Sequence, residues 1–310
     1  MAYIITPQEL SYRQSLPLQD KIDMTCEKIE SWYNHWDGQI YVAFSGGKDS
    51  TVLLDIVRNK AFIPDSKLIP AVFSDTGLEY PEIRDFVKTI NNVVRIKPKL
   101  SFRQVVEKYG YPLISKEQSQ YIRQYRNAKS EKTKNIRMFG DAKGGFKISE
   151  KWKFLLNAPF KISDQCCDYL KKQPMKTYEK ETGRKGILGG LAEESRRRTI
   201  NYLMYGCNGF DMKTPLSQPL SFWTEKDIWD YIHKYNIPYS KIYDMGYDRT
   251  GCMFCMYGVQ QKEEPNKFQK MAITHPQLYK YCIENLGLGK VLDYIHVNYK
   301  PNETEILSDK

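Results

Sequence analysis

An α/β fold with a doubly wound parallel sheet is predicted by three apolar runs and the helical segments between them. The runs at 40–44, 68–73 and 93–96 have the β-branched and aromatic composition of buried strands. Helical periodicity follows the first run, and a second helical segment covers 80–90. Strands that alternate with helices form parallel sheets joined by right-handed crossovers. We therefore expect a β-α-β-α-β order in the first third of the chain.

The first predicted strand ends in a glycine turn that reads S-G-G-K-D-S over 45–50. Two adjacent glycines let successive backbone N–H groups point at one anion, and the N-terminus of the following helix adds partial positive charge. The expected ligand is a phosphate group. The run matches neither G-x-x-x-x-G-K-[ST] nor G-x-G-x-x-G. The alternative is an ordinary turn that caps a helix.

The second predicted strand is followed by a polar, turn-forming run, Ser74-Asp75-Thr76-Gly77. Open α/β sheets bind ligands at the carboxyl ends of their strands. This run is therefore a second candidate segment for ligand binding.

Later elements are predicted in the same way. A short apolar strand covers 186–190, and helices cover 7–36 and 268–286. Thr224 is the predicted N-cap of another helix, with Asp227 at the third helical position as an acidic form of the capping box.

Composition is that of a globular protein: of 310 residues, 41% are hydrophobic and 27% are charged. No window approaches the roughly 20 apolar residues of a membrane span. The start of the sequence has no basic region followed by an apolar one, so we expect a cytoplasmic protein and no membrane partner.

The net charge of +10 is concentrated between Ser115 and Lys161, where basic residues far outnumber acidic ones. Such an excess favours a polyanionic partner, and DNA or RNA is the obvious candidate. Tyr121, Tyr125 and Trp152 lie within the segment and could stack on bases. The alternatives are a solvated basic helix face and aromatic residues that pack in the core.

The chain has seven cysteines, an odd number that argues for thiol, metal or redox chemistry in a protein without an export signal. Cys166 and Cys167 are adjacent, and Cys252 and Cys255 form C-x-x-C. Four soft thiolates suit an iron–sulfur cluster or zinc, and spacing alone does not choose between them. Free or redox-switching thiols are a third interpretation.

Five ordered motifs carry a resemblance to a known family. S-G-G-K-D-S resembles the PP-loop of the ATP pyrophosphatase superfamily. It is followed by S-D-T-G-L-E-Y-P at 74–81, E-E-S-x-x-R at 193–198, P-L-S-F-W-T at 219–224 and G-C-M-F-C at 251–255. Over roughly 39–259 the chain resembles the phosphoadenosine phosphosulfate (PAPS) reductase family. The likeness is to its iron–sulfur branch, as in adenylyl sulfate reductases and DndC-like DNA sulfur-modification proteins.

The resemblance implies a Rossmann-like, adenine nucleotide alpha hydrolase fold and assigns site residues. It makes Lys48, Asp49 and Arg198 catalytic candidates, and Asp49 and Asp75 candidates for holding Mg²⁺. It implies that Cys166, Cys167, Cys252 and Cys255 hold a [4Fe-4S] cluster. The residues that it implies bind ATP or an adenylyl sulfonucleotide are Ser45, Gly46, Gly47, Asp49, Ser50, Ser74, Asp75, Thr76, Gly77, Gly190 and Ser195.

Two departures from the family pattern bear on the reaction. Sulfonucleotide reductases attack sulfur with a cysteine in a C-terminal tail, whereas this sequence ends P-N-E-T-E-I-L-S-D-K. In addition, Leu191 and Ala192 stand where the reductases have an arginine pair, although Arg198 keeps its place.

Three functions follow as hypotheses. The preferred one is ATP-dependent adenylation and sulfur transfer to a nucleic-acid acceptor, with a sulfur-donor protein as partner. The first alternative is an adenylyl sulfate or PAPS reductase that releases sulfite with a thiol supplied in trans by a thioredoxin-like protein. The second alternative is a non-catalytic nucleotide-binding subunit.

The predicted organisation has five segments. They are an N-terminal helical segment (1–37), a PP-loop nucleotide-binding half (38–114), a helical basic insertion (115–165), the rest of the nucleotide-binding domain with the cysteines (166–260) and a C-terminal helical segment (261–310).

Overall fold

The computed structural model describes residues 3–261 and 264–301. They fall into two compact units. The unit that we call the sheet unit comprises the described residues of 1–75, 79–97 and 174–250. The other, the cysteine unit, comprises those of 76–78, 98–173 and 251–310.

The strands of the described residues are short. They are β1 (Ile40–Ala43), β2 (Ala71–Ser74), β3 (Val93–Ile96), β4 (Leu113–Ile114), β5 (Lys185–Leu188), β6 (Asn208–Gly209), β7 (Leu216–Ser217) and β8 (Met256–Tyr257). Six of them form the sheet of the sheet unit, in the order β3-β2-β1-β5-β7-β6. All neighbours in it are parallel except β6 and β7. This mostly parallel sheet confirms the predicted α/β class.

The central position of β1 follows from its composition. Ile40, Tyr41 and Val42 are at most 1% exposed, as a strand covered on both faces requires. Its register runs from Ile40 opposite Lys185 to Ala43 opposite Leu188, so that β1 and β5 end at the same level. The carboxyl ends of these two strands carry the glycine turn and the Gly189-Gly190 pair.

The α-helices of the described residues surround these strands. They are α1 (Pro7–Ser15), α2 (Leu18–His35), α3 (Lys48–Asn59), α4 (Pro81–Thr89), α5 (Phe102–Tyr109), α6 (Lys116–Asn127), α7 (Glu131–Phe139), α8 (Gln173–Thr182), α9 (Arg196–Tyr205), α10 (Glu225–Tyr235), α11 (Lys267–Thr274), α12 (Pro276–Lys280) and α13 (Leu288–Tyr294). Short 3-10 turns lie at Ser66–Leu68, Glu150–Asn157, Ala192–Glu194 and Lys241–Tyr243, and π-helical segments lie at Asp168–Lys172 and Tyr281–Asn285. None of the helices in the described ranges is long and apolar enough to cross a membrane.

Proline positions explain where the predicted helices were too long. The segment predicted as helical over 7–36 consists of two helices, α1 and α2, because Pro17 forces Leu16 into an extended conformation. The helix predicted over 268–286 ends at Thr274, and Pro276 opens a new one. The strand predicted over 68–73 begins only at Ala71, after a 3-10 turn and Pro70.

The predicted capping box of α10 is confirmed. Thr224 Oγ1 accepts a hydrogen bond from Asp227 N at 3.3 Å, and Asp227 Oδ2 accepts one from Thr224 N at 2.7 Å. The same carboxylate oxygen lies 2.6 Å from Nζ of Lys21, which is 1% exposed. This buried ion pair ties α2 to the start of α10.

The cysteine unit has a parallel pair of its own. β4 and β8 are joined with Leu113 opposite Met256 and Ile114 opposite Tyr257. Leu113, Ile114 and Met256 are buried. The pair holds the chain that follows Cys255 against the segment before α6.

Candidate functional site

The glycine turn lies between β1 and α3, as the sequence predicts. Gly46 has φ +75°, and a Cβ there would lie 2.7 Å from Val87 Cγ2 and 2.9 Å from Ile83 Cγ2. Only glycine meets both the backbone conformation and the lack of space. The turn therefore packs directly on α4.

The backbone N–H groups of this turn donate hydrogen bonds to hydroxyl oxygens. Gly47 N donates to Ser45 Oγ at 3.3 Å, and Ser45 N donates to Ser50 Oγ at 3.2 Å. At the start of α3, Lys48 N donates to the phenol oxygen of Tyr243 at 2.8 Å. These donors are the groups that an anion at a helix N-terminus uses.

Lys48 is buried and surrounded by acceptors. Its Nζ lies 3.2 Å from Glu225 Oε1 and 3.6 Å from Asp49 Oδ1. Burial lowers the pKa of Lys48, but the charge of Asp49 and the contacts with Tyr243 and Glu225 outweigh it, and the pKa is raised. The ammonium group is therefore charged at neutral pH.

One carboxylate oxygen of Asp49 accepts no hydrogen bond from the described residues. This oxygen, Oδ1, is buried. Burial raises the pKa of Asp49, while Lys48 and the charge of Arg198 oppose the shift. Lys48 Nζ forms an ion pair with this oxygen at 3.6 Å, which is too long for a hydrogen bond, so the oxygen can still accept a donor or a cation.

The end of β5 is close to the same residues. A Cβ on Gly189 would lie 2.8 Å from the carbonyl oxygen of Asp49, and one on Gly190 would lie 3.2 Å from Arg198 Nη1 and 2.6 Å from Gln218 Nε2. The glycine pair therefore leaves space for the α3 backbone and for the Arg198 side chain.

Arg198 lies near Asp49 but already has a partner. Its Nη1 forms an ion pair with Glu194 Oε2, whose carboxylate also accepts a hydrogen bond from Leu191 N at 3.0 Å. Burial lowers the pKa of Arg198, opposed by Asp49. Ser195, a predicted binding residue, is the N-cap of α9 and accepts from Arg198 N at 3.4 Å.

The predicted run at 74–77 is divided between the two units. In the sheet unit, Asp75 Oδ2 lies 3.6 Å from Arg84 Nη2, and Ser74 ends β2. In the cysteine unit, Thr76 Oγ1 accepts from Leu78 N at 3.1 Å, and Gly77 has φ +75° with open space where a Cβ would lie. A role for these residues in binding stays a prediction.

The four predicted cluster cysteines all lie in the cysteine unit, and none of the four forms a disulfide. Cys166 and Cys167 precede a π-helical segment, and Cys255 N donates to Cys252 O at 3.1 Å in a tight turn. Burial raises the pKa of Cys166, and charge on Cys252, Cys167 and Cys255 raises it further. The four sulfurs are therefore electrostatic neighbours.

Positive charges lie near these thiols. Lys116 and Lys171 oppose the rise in the pKa of Cys167, which is caused chiefly by burial. Lys267 Nζ donates to the carbonyl oxygen of Cys252 at 3.2 Å. Within residues 3–261 and 264–301, no group of three or more His, Cys, Asp or Glu is arranged to hold a single metal ion. The ligand assignment stays a prediction.

The aromatic residues of the basic insertion differ in exposure, and Tyr125 is half-buried. Tyr121 and Trp152 are 6% and 9% exposed, so they pack in the interior and are not stacking surfaces. Phe139 and Phe146 are instead 71% and 59% exposed. The helix α7, which ends at Phe139, has no buried residue.

Sequence reasoning missed three partners of Lys48: Tyr243, Glu225 and the carbonyl oxygen of Asp248, which lies 3.4 Å from Nζ. They lie far along the chain from the glycine turn. The acidic residues at the start of α10 were the one sequence feature that could have indicated Glu225 as a partner. They were not informative, because the capping box and the helix dipole already explain acidic residues there.

Comparisons with known proteins agree with this arrangement. The family model described as phosphoadenosine phosphosulfate reductase domain matches residues 39–257. An adenosine 5′-phosphosulfate reductase of Geobacillus kaustophilus is 26% identical over 80% of this chain and 85% of its own length. Adenosine 5′-phosphosulfate reductase 2 of Bacillus subtilis is 25% identical over 78% of this chain and 82% of its own length.

A solved structure is also similar. The PAPS reductase of Candida auris in its phosphate complex covers 81% of this chain and 98% of its own, with 17% identity and a TM-score of 0.42.

Proposed function

The chain belongs to the phosphoadenosine phosphosulfate reductase family, and from that premise we propose that it reduces an adenylyl sulfate, APS or PAPS, to sulfite with a thiol supplied by a second protein. The observation that carries the proposal is the family match over 39–257. Two of the relatives, similar over more than four fifths of their own length, are adenosine 5′-phosphosulfate reductases. The glycine turn with its buried lysine supports a nucleotide phosphate as ligand.

The need for a second protein follows from the remaining cysteines. Cys26, Cys207 and Cys282 are buried, and burial raises the pKa of these thiols to about 11, about 12 and about 12 respectively. A buried thiol with a raised pKa is a poor nucleophile. We therefore propose that the attacking thiolate comes from a partner, for which a thioredoxin-like dithiol has the right chemistry.

The proposed reaction has two steps. A partner thiolate attacks the sulfate sulfur, and the bond from sulfur to the phosphate oxygen breaks. The nucleotide leaves with the electron pair, as AMP from APS or as adenosine 3′,5′-bisphosphate from PAPS. The second thiol of the partner then attacks the first sulfur, which releases sulfite and leaves a disulfide. The dithiol supplies both electrons.

In this proposal the residues of the sheet unit hold the nucleotide phosphate. The phosphate takes the hydrogen bonds that Ser45 and Tyr243 now accept from Gly47 N and Lys48 N. Lys48, charged and buried, supplies the positive charge. Arg198 binds the anion when it exchanges its Glu194 partner for it.

The four cysteines fit an iron–sulfur cluster by their chemistry. They supply four soft thiolates in one unit, next to lysines that offset negative charge, and one buried phenol oxygen beside them lacks a partner among the described residues. Cys166, Cys167, Cys252 and Cys255 would hold the cluster, which would supply an electron-transfer or sulfur-binding centre when bound.

A second candidate function is ATP-dependent sulfur transfer to a nucleic acid, and Asp49 favours it. Its buried Oδ1, without a donor among the described residues, suits a Mg²⁺ ion that neutralises a pyrophosphate leaving group. An acceptor oxygen would attack the α-phosphorus of ATP, pyrophosphate would leave, and sulfur from a donor would then displace AMP. The basic insertion would dock the acceptor.

One experiment separates these functions. Iron-loaded protein is incubated without air with labelled APS, PAPS or ATP, with and without a thioredoxin-like dithiol and with and without nucleic acid. Sulfite that requires the dithiol, with AMP from APS or adenosine 3′,5′-bisphosphate from PAPS, supports the reductase. Pyrophosphate from ATP that requires nucleic acid refutes it in favour of sulfur transfer. Nucleotide binding without any product refutes both and leaves the non-catalytic subunit.

A further inference from the structure

Tyr257 carries a buried phenol oxygen that has no hydrogen-bond partner among the described residues. The residue ends β8, two positions after Cys255, and its backbone pairs with Ile114. Buried hydroxyl groups in proteins are nearly always hydrogen-bonded, because an unmade bond leaves the full cost of removing the group from water. The phenol group of Tyr257 therefore points to a partner that the described residues do not provide.

The groups that face this phenol identify the kind of partner. The cysteine thiols Cys167, Cys255 and Cys166 are electrostatic neighbours of this phenol, which lies two positions after Cys255. The other acidic neighbour, Asp164, is already bound by Arg123, whose Nε lies 2.7 Å from Oδ1. The acceptor that the buried phenol lacks is therefore expected on the cysteine side.

We propose that Tyr257 is a positioning residue of the four-cysteine site, and that its O–H donates a hydrogen bond to a sulfur atom of the iron–sulfur cluster. This inference rests on the cluster of the proposed function. Hydrogen bonds to cluster sulfurs withdraw electron density, so they stabilise the reduced state and raise the reduction potential. The same bond slows the loss of iron, because it holds the sulfur in place.

The test compares Tyr257→Phe with the wild type. Phenylalanine keeps the ring and removes only the hydroxyl, so it leaves no cavity in the packing. Tyr111→Phe is the matched control, because the Tyr111 phenol lies in the same unit and donates to Leu286 O at 2.9 Å, away from the cysteines. The full-length proteins are loaded with Fe²⁺ and sulfide without air, and their iron content and thermal unfolding are measured.

Three measurements then report on the hydrogen bond without use of enzyme activity. They are the reduction potential from a titration followed by absorbance, the rate of iron loss to a chelator, and the shift of the Fe–S stretching bands in D₂O. We expect Tyr257→Phe to lower the potential, to speed iron loss several-fold and to reduce the deuterium shift. Tyr111→Phe keeps all three at their wild-type values.

The outcomes distinguish the two proposals. A wild type that takes up no iron overturns the cluster and the role of Tyr257 together. A wild type that takes up iron, with a Tyr257→Phe variant equal to it in all three measurements, overturns the role of Tyr257 alone. If the Tyr257→Phe variant does not fold, the D₂O measurement on the wild type tests the proposal alone. Fe–S bands that shift in D₂O support the hydrogen bond, and bands that do not shift contradict it.

Discussion

Gly46→Ala tests the geometry of the glycine turn most simply. Gly46 has φ +75°, and an added Cβ would meet two α4 side chains at 2.7 and 2.9 Å. A left-handed conformation costs a non-glycine residue roughly 1–2 kcal/mol. Overpacking adds about 1–3 kcal/mol. We expect the turn to relieve this strain by moving, which misaligns the N–H groups of Gly47 and Lys48.

Gly183→Ala is the matched control. Gly183 lies in the same unit with φ +73°, but a Cβ there meets nothing within 4 Å. Gly183→Ala therefore has the cost of the left-handed backbone but no steric clash. The clash in Gly46→Ala, about 1–3 kcal/mol, is the difference between the two variants. It corresponds to an affinity for the nucleotide that is lower by about 5- to 150-fold.

The assay is the binding of AMP by calorimetry, together with thermal unfolding of each variant. Gly46→Ala should bind AMP more weakly than Gly183→Ala by that factor, and Gly183→Ala should bind like the wild type. Equal AMP affinity of all three proteins would show that phosphate binding does not depend on this conformation of the turn.

Three further predictions concern stability, thiol reactivity and the basic insertion. Lys21→Ala leaves the Asp227 carboxylate buried without its cation and should lower the free energy of unfolding by about 3–5 kcal/mol. This free energy is measured by urea unfolding. The control, Lys88→Ala, breaks an exposed ion pair and should change the free energy of unfolding by less than about 1 kcal/mol. Similar losses in the two variants would contradict the prediction. Cys26, with a pKa of about 11, should be about a thousandth thiolate at pH 8, so its alkylation, followed by mass spectrometry, should be slow and should speed up as the pH rises towards 11. Alkylation at the rate of an unburied thiol would show that this burial is wrong. Under the second candidate function, the double variant Phe139→Ala/Phe146→Ala should weaken binding of a single-stranded oligonucleotide by about 1–3 kcal/mol per stacked base, measured by fluorescence anisotropy. Phe62→Ala, which removes a ring that is 90% exposed in the sheet unit, is the control, and equal affinities would exclude stacking by the insertion.

The parallel sheet was predictable because each of its first three strands has a recognisable local sequence pattern. β1, β2 and β3 are apolar runs that end in polar turns, and helical periodicity lies between them. The capping box of Thr224 and Asp227 is equally local, since a helix start needs only two side chains three residues apart. Both predictions depend on interactions within a few positions of the chain.

The missed features depend on distant partners. Tyr243 meets Lys48 N across 195 positions, and no periodicity signals such a contact. The same holds for the insertion, where Tyr121 is buried with its phenol bound to Glu117 while Phe139 is exposed. Composition predicted aromatic residues among basic ones, but only tertiary packing decides which of them face solvent.

The central claim is that the attacking thiol comes from another protein, and one measurement tests it most directly. Iron-loaded protein is mixed without air with ³⁵S-labelled APS or PAPS and a thioredoxin-like protein whose second active-site cysteine is replaced by serine, so that the first step cannot proceed to the second. We expect an S-sulfonate on the thioredoxin-like protein, found by mass spectrometry, and none on the seven cysteines of this chain. A sulfonate on a cysteine of this chain, or none on either protein while the adenine nucleotide is released, would contradict this proposal.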